Sequence, residues 1–79
     1  MQNIKVKVDN GYWVFKLGTL LEKKGISKNK IMRDTNTKHD TLQHYVNGTL
    51  KRLDIDVLDR FCNYLNCELS DIIEYVKTK

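Results

Sequence analysis

The chain has 79 residues, of which 41% are apolar, and this suffices for one small core but leaves little room for a catalytic cleft. It carries a formal charge of +4 and shows neither a long apolar run nor a signal-peptide pattern. These properties exclude a membrane-spanning protein and argue against an enzyme, so we expect one cytoplasmic domain over residues 1–79.

The first predicted element is a β-strand at Ile4–Val8. Apolar, β-branched residues alternate there with two lysines, a pattern typical of a half-buried edge strand. The Asp-Asn-Gly sequence at residues 9–11 ends the strand. Residues 1–10 are therefore interpreted as an N-terminal strand or arm that precedes a helical core at residues 12–76.

Residues 13–24 are predicted to form the first helix. Gly25 is a suitable C-terminal cap, and Lys23 and Lys24 complement the helix dipole. The apolar residues recur at helical spacing and are assigned to the core: Trp13, Val14, Leu17, Leu20 and Leu21.

Two short helices joined by a tight turn are predicted between Ser27 and Gly48. Ser27 is a good N-cap for a helix over residues 28–35, and Asn36 tolerates the left-handed backbone that the turn requires. A second helix is expected over about residues 38–47, with Gly48 at its end.

The second of these helices is amphipathic. Its expected inward face consists of Leu42, Tyr45 and Val46. The outward face is polar and consists of Lys38, His39, Asp40, Gln43 and His44. Residues 37–40 also match a capping box, in which Asp40 would satisfy an amide at the start of the helix.

Two more helices complete the predicted core. Asp54 is expected to cap the fourth, which ends at Asn66. Its predicted buried stripe is Ile55, Leu58, Cys62 and Leu65, with Phe61 beside it. A short fifth helix is expected to carry Leu69, Ile72, Ile73 and Val76.

Charge is distributed unevenly along the chain. Residues 22–52 contain eight Lys or Arg against three acids, whereas residues 53–79 contain three against six. The basic half coincides with the paired short helices, and this coincidence indicates a polyanionic partner such as nucleic acid.

No metal or cofactor is expected. Cys62 and Cys67 are five residues apart, too far for a CxxC motif and, within one helix, on divergent faces. Pairing them with His39 and His44 matches no common zinc-ligand spacing. Cys62 is interpreted as a buried free thiol.

The sequence resembles the helix-turn-helix domain of the Cro and phage-repressor type, also called the Xre family. The resemblance covers residues 13–76 and includes the paired helices at 27–48, the loop at 47–54 and the junction at 65–73. It implies an all-α, five-helix repressor-like domain, here with a short N-terminal β-strand. It also implies a bacterial or phage protein that binds double-stranded DNA.

The resemblance implies roles for individual residues, because in this family the N-terminal end of the second motif helix enters the major groove. Candidates for base contacts are His39, Asp40, Gln43 and His44. Phosphate contacts are expected from Lys28, Lys38, Asn47, Thr49, Lys51 and Arg52, and Thr41 completes the expected DNA-contacting set. Gln43 can pair with adenine, whereas Asp40 can either accept from cytosine or cap the helix.

The first functional hypothesis is a transcriptional repressor that acts as a homodimer on a palindromic operator. Ile4–Val8 and residues 75–76 are the expected dimer surface. The alternative is an interaction module, an antitoxin or inhibitor, that uses the same fold to hold a protein partner; Asp40 on the reading face favours it. RNA binding is a weaker hypothesis because the exposed aromatic platform of single-strand readers is lacking.

Overall fold

The computed structural model of the protein describes residues 3–78; Met1 and Gln2 of the expected arm, and Lys79, lie outside the described residues. The described part contains four α-helices, one 3₁₀ turn and one three-stranded sheet. In chain order these are β1 (Ile4–Val8), β2 (Gly11–Phe15), α1 (Leu17–Lys24), α2 (Lys28–Thr35), α3 (His39–Asn47), α4 (Ile55–Leu65), the 3₁₀ turn (Leu69–Asp71) and β3 (Ile73–Lys77). None of these helices is long and apolar enough to cross a membrane.

The sheet is antiparallel and has the order β1-β2-β3, so β1 and β3, which are remote from each other in the chain, lie on either side of β2. Val8 pairs with Gly11 across the β1–β2 turn, and Gly11 pairs with Lys77 of β3. Only glycine fits at position 11, because a Cβ there would lie 2.1 Å from the carbonyl oxygen of Val76. The strand predicted at Ile4–Val8 is confirmed, but β2 occupies one of its edges.

The prediction of an all-α, five-helix domain is wrong at both ends of the chain. Trp13 and Val14, expected in the first helix, lie in β2, and that helix begins only at Leu17. The expected fifth helix is replaced by the 3₁₀ turn and β3. The physical reason is that β2 forms backbone hydrogen bonds with two other strands. The periodicity of a short apolar run does not distinguish such a strand from a buried helix.

Local signals set most of the helix ends as predicted. The Ser27 hydroxyl accepts from the Lys30 amide, and the Asp54 carboxylate accepts from the amides of Asp56 and Val57. The chain then leaves each helix through a residue with a left-handed backbone, namely Gly25, Asn36, Gly48 and Asn66.

The core lies between the helices and one end of the sheet. Tyr45 of α3 and Phe61 of α4 are almost fully buried and meet edge to face, with ring centroids 5.5 Å apart. The inward face predicted for α3 is confirmed: Leu42, Tyr45 and Val46 are all buried. Ile55 was expected inside but is 80% exposed as the first residue of α4, whereas Val57, two residues further on, is buried.

Trp13 also departs from its predicted core position. It is half-buried on one face of the sheet, where its ring lies against that of Tyr75 with centroids 4.9 Å apart. The strand geometry explains the difference, because alternate residues of β2 point to opposite faces of the sheet.

Candidate nucleic-acid interface

The turn between α2 and α3 is held by buried hydroxyl groups. Asn36 takes the expected left-handed conformation, with φ of 52°. The Thr35 hydroxyl donates to the Ile31 carbonyl at 2.5 Å, so the Thr37 hydroxyl, 2.8 Å away, donates to Thr35. Both threonines are buried, and their hydroxyls are mutually satisfied. The orientation of α3 relative to α2 therefore depends on a polar contact inside the turn.

A second contact ties α2 to α4. The Tyr64 hydroxyl donates to Asp34 at 2.5 Å, and the Lys30 ammonium lies 3.2 Å from the same carboxylate oxygen. The hydrogen bond from Tyr64, followed by that from Lys30, lowers the pKa of Asp34, and the same bond raises the pKa of Tyr64. Asp34 consequently stays ionised at neutral pH and joins residues 30 positions apart in the chain.

The solvent-facing side of α3 carries a row of hydrogen-bonded polar groups. Gln43 lies between His39, 3.2 Å from its amide nitrogen, and Asn47, whose amide donates to the Gln43 oxygen at 3.4 Å. The three residues are four positions apart, so they stack along one face of the helix. The Gln43 amide nitrogen can only donate, so Nε2 of His39 is the acceptor in this contact. This row holds the Gln43 amide in one orientation.

His44 takes part in a different contact, at the C-terminal end of α3. Its Nδ1 lies 2.6 Å from the Thr49 hydroxyl, and the Thr49 amide donates to the His44 carbonyl at 3.1 Å. Two of the expected DNA-contacting residues are therefore brought together, but His44 is directed towards the loop after α3 and not towards the row around Gln43.

The capping box predicted at residues 37–40 does not form. The N-cap of α3 is Lys38, whose ammonium group cannot accept a hydrogen bond from a helix amide. The Thr37 hydroxyl, which could have accepted one, is engaged with Thr35 inside the turn. The side chain of Asp40 is 98% exposed, and its carboxylate lies 3.8 Å from Nδ1 of His39. Asp40 is thus an exposed acid on the outer face of α3.

The basic residues fall into two groups. Lys30 and Arg33 both lie within ion-pair distance of Asp34, which neutralises part of their charge. Among residues 3–78 no ion pair involves the four cations expected at phosphates: Lys28, Lys38, Lys51 and Arg52. Lys28 is half-buried at the start of α2, whereas the other three are exposed.

Arg60 is a basic residue near the start of α3 that was not among those expected from the sequence. This α4 residue lines a recess of about 260 Å³ together with Lys38 and Thr41, next to the start of α3. Arg60 is remote from the helix pair in the chain, and no local pattern could have associated it with α3. The remaining expected residue, Thr41, is half-buried at the same recess.

The two thiols are neighbours. Cys67 follows the left-handed residue Asn66 and turns back towards α4, where its amide donates to the Cys62 carbonyl at 3.0 Å. Divergent faces were expected only if both cysteines were helical, and that condition is not met because Cys67 lies beyond the end of α4. Burial, and next the neighbouring Cys62, raises the pKa of Cys67 to about 11. Both cysteines are free and half-buried.

Residues 16–78 match the sequence model of the Cro/C1-type helix-turn-helix DNA-binding domain. The match spans most of the chain, so the protein belongs to this family of DNA-binding domains, as the resemblance in the sequence had indicated. Among solved structures, the fold is similar to that in the crystal structure of the transcriptional regulator VanUg, Form II. The TM-score is 0.69 and the identity 24%, over 99% of this chain and 100% of the other. No curated protein sequence matches this chain.

Proposed function

We propose that this protein is a transcriptional repressor that binds specific double-stranded DNA through α3 as a homodimer on a palindromic operator. The observation that carries the proposal is the hydrogen-bonded row on the exposed face of α3, centred on Gln43. Within a helix-turn-helix fold this face is the one that enters the major groove. Family membership supports DNA binding, and the similar fold of a transcriptional regulator supports the regulatory role.

Gln43 is the proposed reader of base sequence. Its amide offers both a donor and an acceptor, which matches the adenine edge in the major groove, and His39 can donate to guanine or phosphate. The contacts with His39 and Asn47 restrict the rotation of Gln43 before DNA arrives. Such preorganisation lowers the entropy lost on binding.

The cations without ion pairs are the proposed phosphate contacts. Lys28 stands at the N-terminus of α2, where helix amides add positive potential, and Lys38 stands at that of α3. Lys51 and Arg52 follow in the loop after α3, and Asn47, Thr41 and the His44–Thr49 pair add further polar contacts. We add Arg60, which shares a recess with Lys38, to this set. These contacts position the protein on the duplex and do not select sequence.

A homodimer is proposed because one module of this size reads only a few base pairs. The outer edges of β1 and β3 are the two free edges of the sheet, and they contain both segments expected at the dimer surface. Strand addition across either edge would join two copies. A mass that stays monomeric at micromolar concentration, with and without operator DNA, would contradict this part of the proposal.

The test is a titration of labelled duplexes at two salt concentrations, comparing DNA from upstream of the gene with a random duplex. We expect a preference for one sequence and a steep loss of affinity with salt, with a slope of about −0.9 for each phosphate contact. Weak binding that depends on neither sequence nor salt would favour the protein-interaction alternative.

Two substitutions separate reading from positioning. Gln43→Ala should remove about 1 to 3 kcal/mol of discrimination between the preferred and random duplexes. Lys28→Ala should weaken binding to both duplexes by the same factor and reduce the slope of affinity against salt by about 1. Lys23→Ala, at the exposed end of α1, is the matched control for loss of one positive charge. Equal effects of the first two changes would contradict the assigned roles.

The alternative, an antitoxin or inhibitor that holds a protein partner, is favoured by one observation. The carboxylate of Asp40 is almost completely exposed on the outer face of α3, where it would repel phosphates. The substitution Asp40→Asn distinguishes the two functions. If α3 binds DNA, removal of this negative charge should strengthen binding to random duplex. No change in duplex affinity would count in favour of the interaction module.

A further inference from the structure

A groove of about 610 Å³ lies between one face of the sheet and the loop at residues 48–53. Val6, Trp13 and Phe15 form its floor, and Leu53, Lys51 and Arg52 stand on the opposite side. One end is closed by Gly48, at which a Cβ would lie only 2.9 Å from Val6 and 3.0 Å from Phe15. The sheet and the helical part therefore touch at this end and leave a concave space beside it.

The groove is apolar and incompletely covered. Val8 is 38% exposed, and both Leu53 and Tyr75 are 42% exposed, although all three lie on or beside this face of the sheet. Apolar side chains on a sheet face are normally packed against another layer. A concave apolar surface of this volume lies within the range that holds small organic ligands, roughly 300 to 1,000 Å³.

Charge on the rim defines the chemistry of the ligand. Lys51 and Arg52 line the groove, neither takes part in an ion pair within residues 3–78, and no acidic residue lines the groove. An apolar floor beside two free cations complements a molecule with an apolar or aromatic body and one anionic group. A second copy docked here about a two-fold axis would oppose the two cationic rims, so like charges disfavour it.

We propose that this groove binds a small anionic amphiphile, such as an aromatic carboxylate or sulfonate, and that the ligand controls DNA binding. Lys51 and Arg52 hold the anionic group, while the floor around Trp13 holds the apolar body. The same two cations are assigned to DNA phosphates, so ligand and DNA compete for them. This regulatory consequence rests on the proposed function, whereas ligand binding itself does not.

The test uses 8-anilinonaphthalene-1-sulfonate as the anionic probe and N-phenyl-1-naphthylamine as its neutral counterpart. Trp13 is the only tryptophan of the chain and lies in the groove, so energy transfer from it to the probe reports occupancy at this place. We expect one sulfonate probe per chain. We expect binding at least about tenfold tighter than that of the neutral probe, because charge-assisted hydrogen bonds are lost without the sulfonate.

The variant that tests the rim is the double change Lys51→Gln and Arg52→Gln. It should bind the sulfonate probe no better than the neutral one. The matched control, Lys7→Gln with Lys23→Gln, removes the same charge from the opposite face of the sheet and from α1, and should leave probe binding unchanged. All four residues are exposed, so we expect both variants to fold. Circular dichroism of each variant checks this.

A sulfonate affinity that is unchanged in the rim variant, or several probes bound per chain, would overturn the proposal. So would a dimer whose formation expels the probe, because a second copy would then occupy the groove. Labelled duplex separates the two proposals. If the protein binds no duplex but binds the probe through Lys51 and Arg52, the proposed repressor is contradicted and the ligand groove is supported. If it binds duplex but binds the probe equally well without Lys51 and Arg52, the repressor is supported and the ligand groove is contradicted.

Discussion

At the scale of single residues, two asparagines hold positions that usually favour glycine. Asn36 and Asn66 have φ of 52° and 50° and end α2 and α4. Asparagine accepts this backbone more readily than other residues with a Cβ. Asn36 matters most for function, because it sets the direction in which the chain enters α3.

Asn36→Ala should destabilise the protein by about 1 kcal/mol, because alanine pays the full cost of the left-handed backbone. Asn36→Gly, which relieves that strain, is the matched control and should be near neutral. Urea unfolding followed by circular dichroism measures both. Similar losses for the alanine and glycine variants would mean that the side chain of Asn36, and not its backbone, stabilises the turn.

Cys67 predicts a specific dependence of stability on pH. Its pKa is raised from 9.0 to about 11, chiefly by burial, so the folded protein holds this proton more tightly than the unfolded chain. The resulting stabilisation is complete below pH 9 and is lost as the pH rises towards 11. The free energy of unfolding should fall more steeply over this interval in the wild type than in Cys67→Ser. Parallel curves would show that the thiol is not protected by the fold.

The polar residues of α3 show how far residue-level prediction reaches. The outward position of His39, Gln43 and His44 follows from helical spacing alone, and the structure agrees. The bonds that they form do not follow from it, because Gln43 could equally have pointed to solvent. The failed capping box has a similar cause: a buried contact between Thr35 and Thr37 removed the Thr37 hydroxyl from the helix end.

At the scale of elements, α2, α3 and α4 were predicted nearly to the residue because their ends depend on neighbours in the chain. At the start of α2 and α4, the N-cap side chain accepts from an amide two or three residues ahead. At the end of α2, α3 and α4, a residue with a left-handed backbone stops the helix. The start of α1, like that of α3, has no side-chain cap. Gly25 ends α1 as predicted, but the pairing of β2 is what stops the helix from extending back to Trp13.

The cap of α4 gives an element-scale prediction. Asp54→Ala should cost about 1 kcal/mol of stability, because the amides of Asp56 and Val57 lose their acceptor. Asp59→Ala removes an exposed acid from the same helix and should change stability by less than about 0.5 kcal/mol. Chemical unfolding of both variants gives the comparison. An equal loss would show that removing any negative charge from α4 has this effect and that the cap has no special role.

At the scale of the whole molecule, a comparison of two glycines gives the energetic effect of the contact between the end of α3 and the sheet. Gly25 and Gly48 have nearly equal φ, 68° and 71°, but a Cβ meets nothing within 4 Å at position 25. At position 48 it would approach Val6, Phe15 and Ile4. The two sites therefore share the backbone cost and differ in packing.

Gly25→Ala should cost about 1 kcal/mol, the strain of a left-handed alanine. Gly48→Ala should cost about 1 to 3 kcal/mol more, the usual range for overpacking. Thermal and urea unfolding measure the difference, and energy transfer from Trp13 to the groove probe reports whether the sheet has moved away from α3. Equal losses would show that the sheet yields to the added methyl group without cost.

What the sequence by itself determined is the helix-turn-helix: the Ser27 cap of its first helix, its turn residue, the buried face of α3 and the polar face opposite. All of these depend on residues within a few positions of one another, where geometry is fixed by spacing. The tertiary structure alone decided that residues 11–15 and 73–77 are strands, since each pairs with a partner remote in the chain or across a turn. It also decided the groove, because Trp13 and Arg52 line one concave surface only when the sheet lies beside the end of α3.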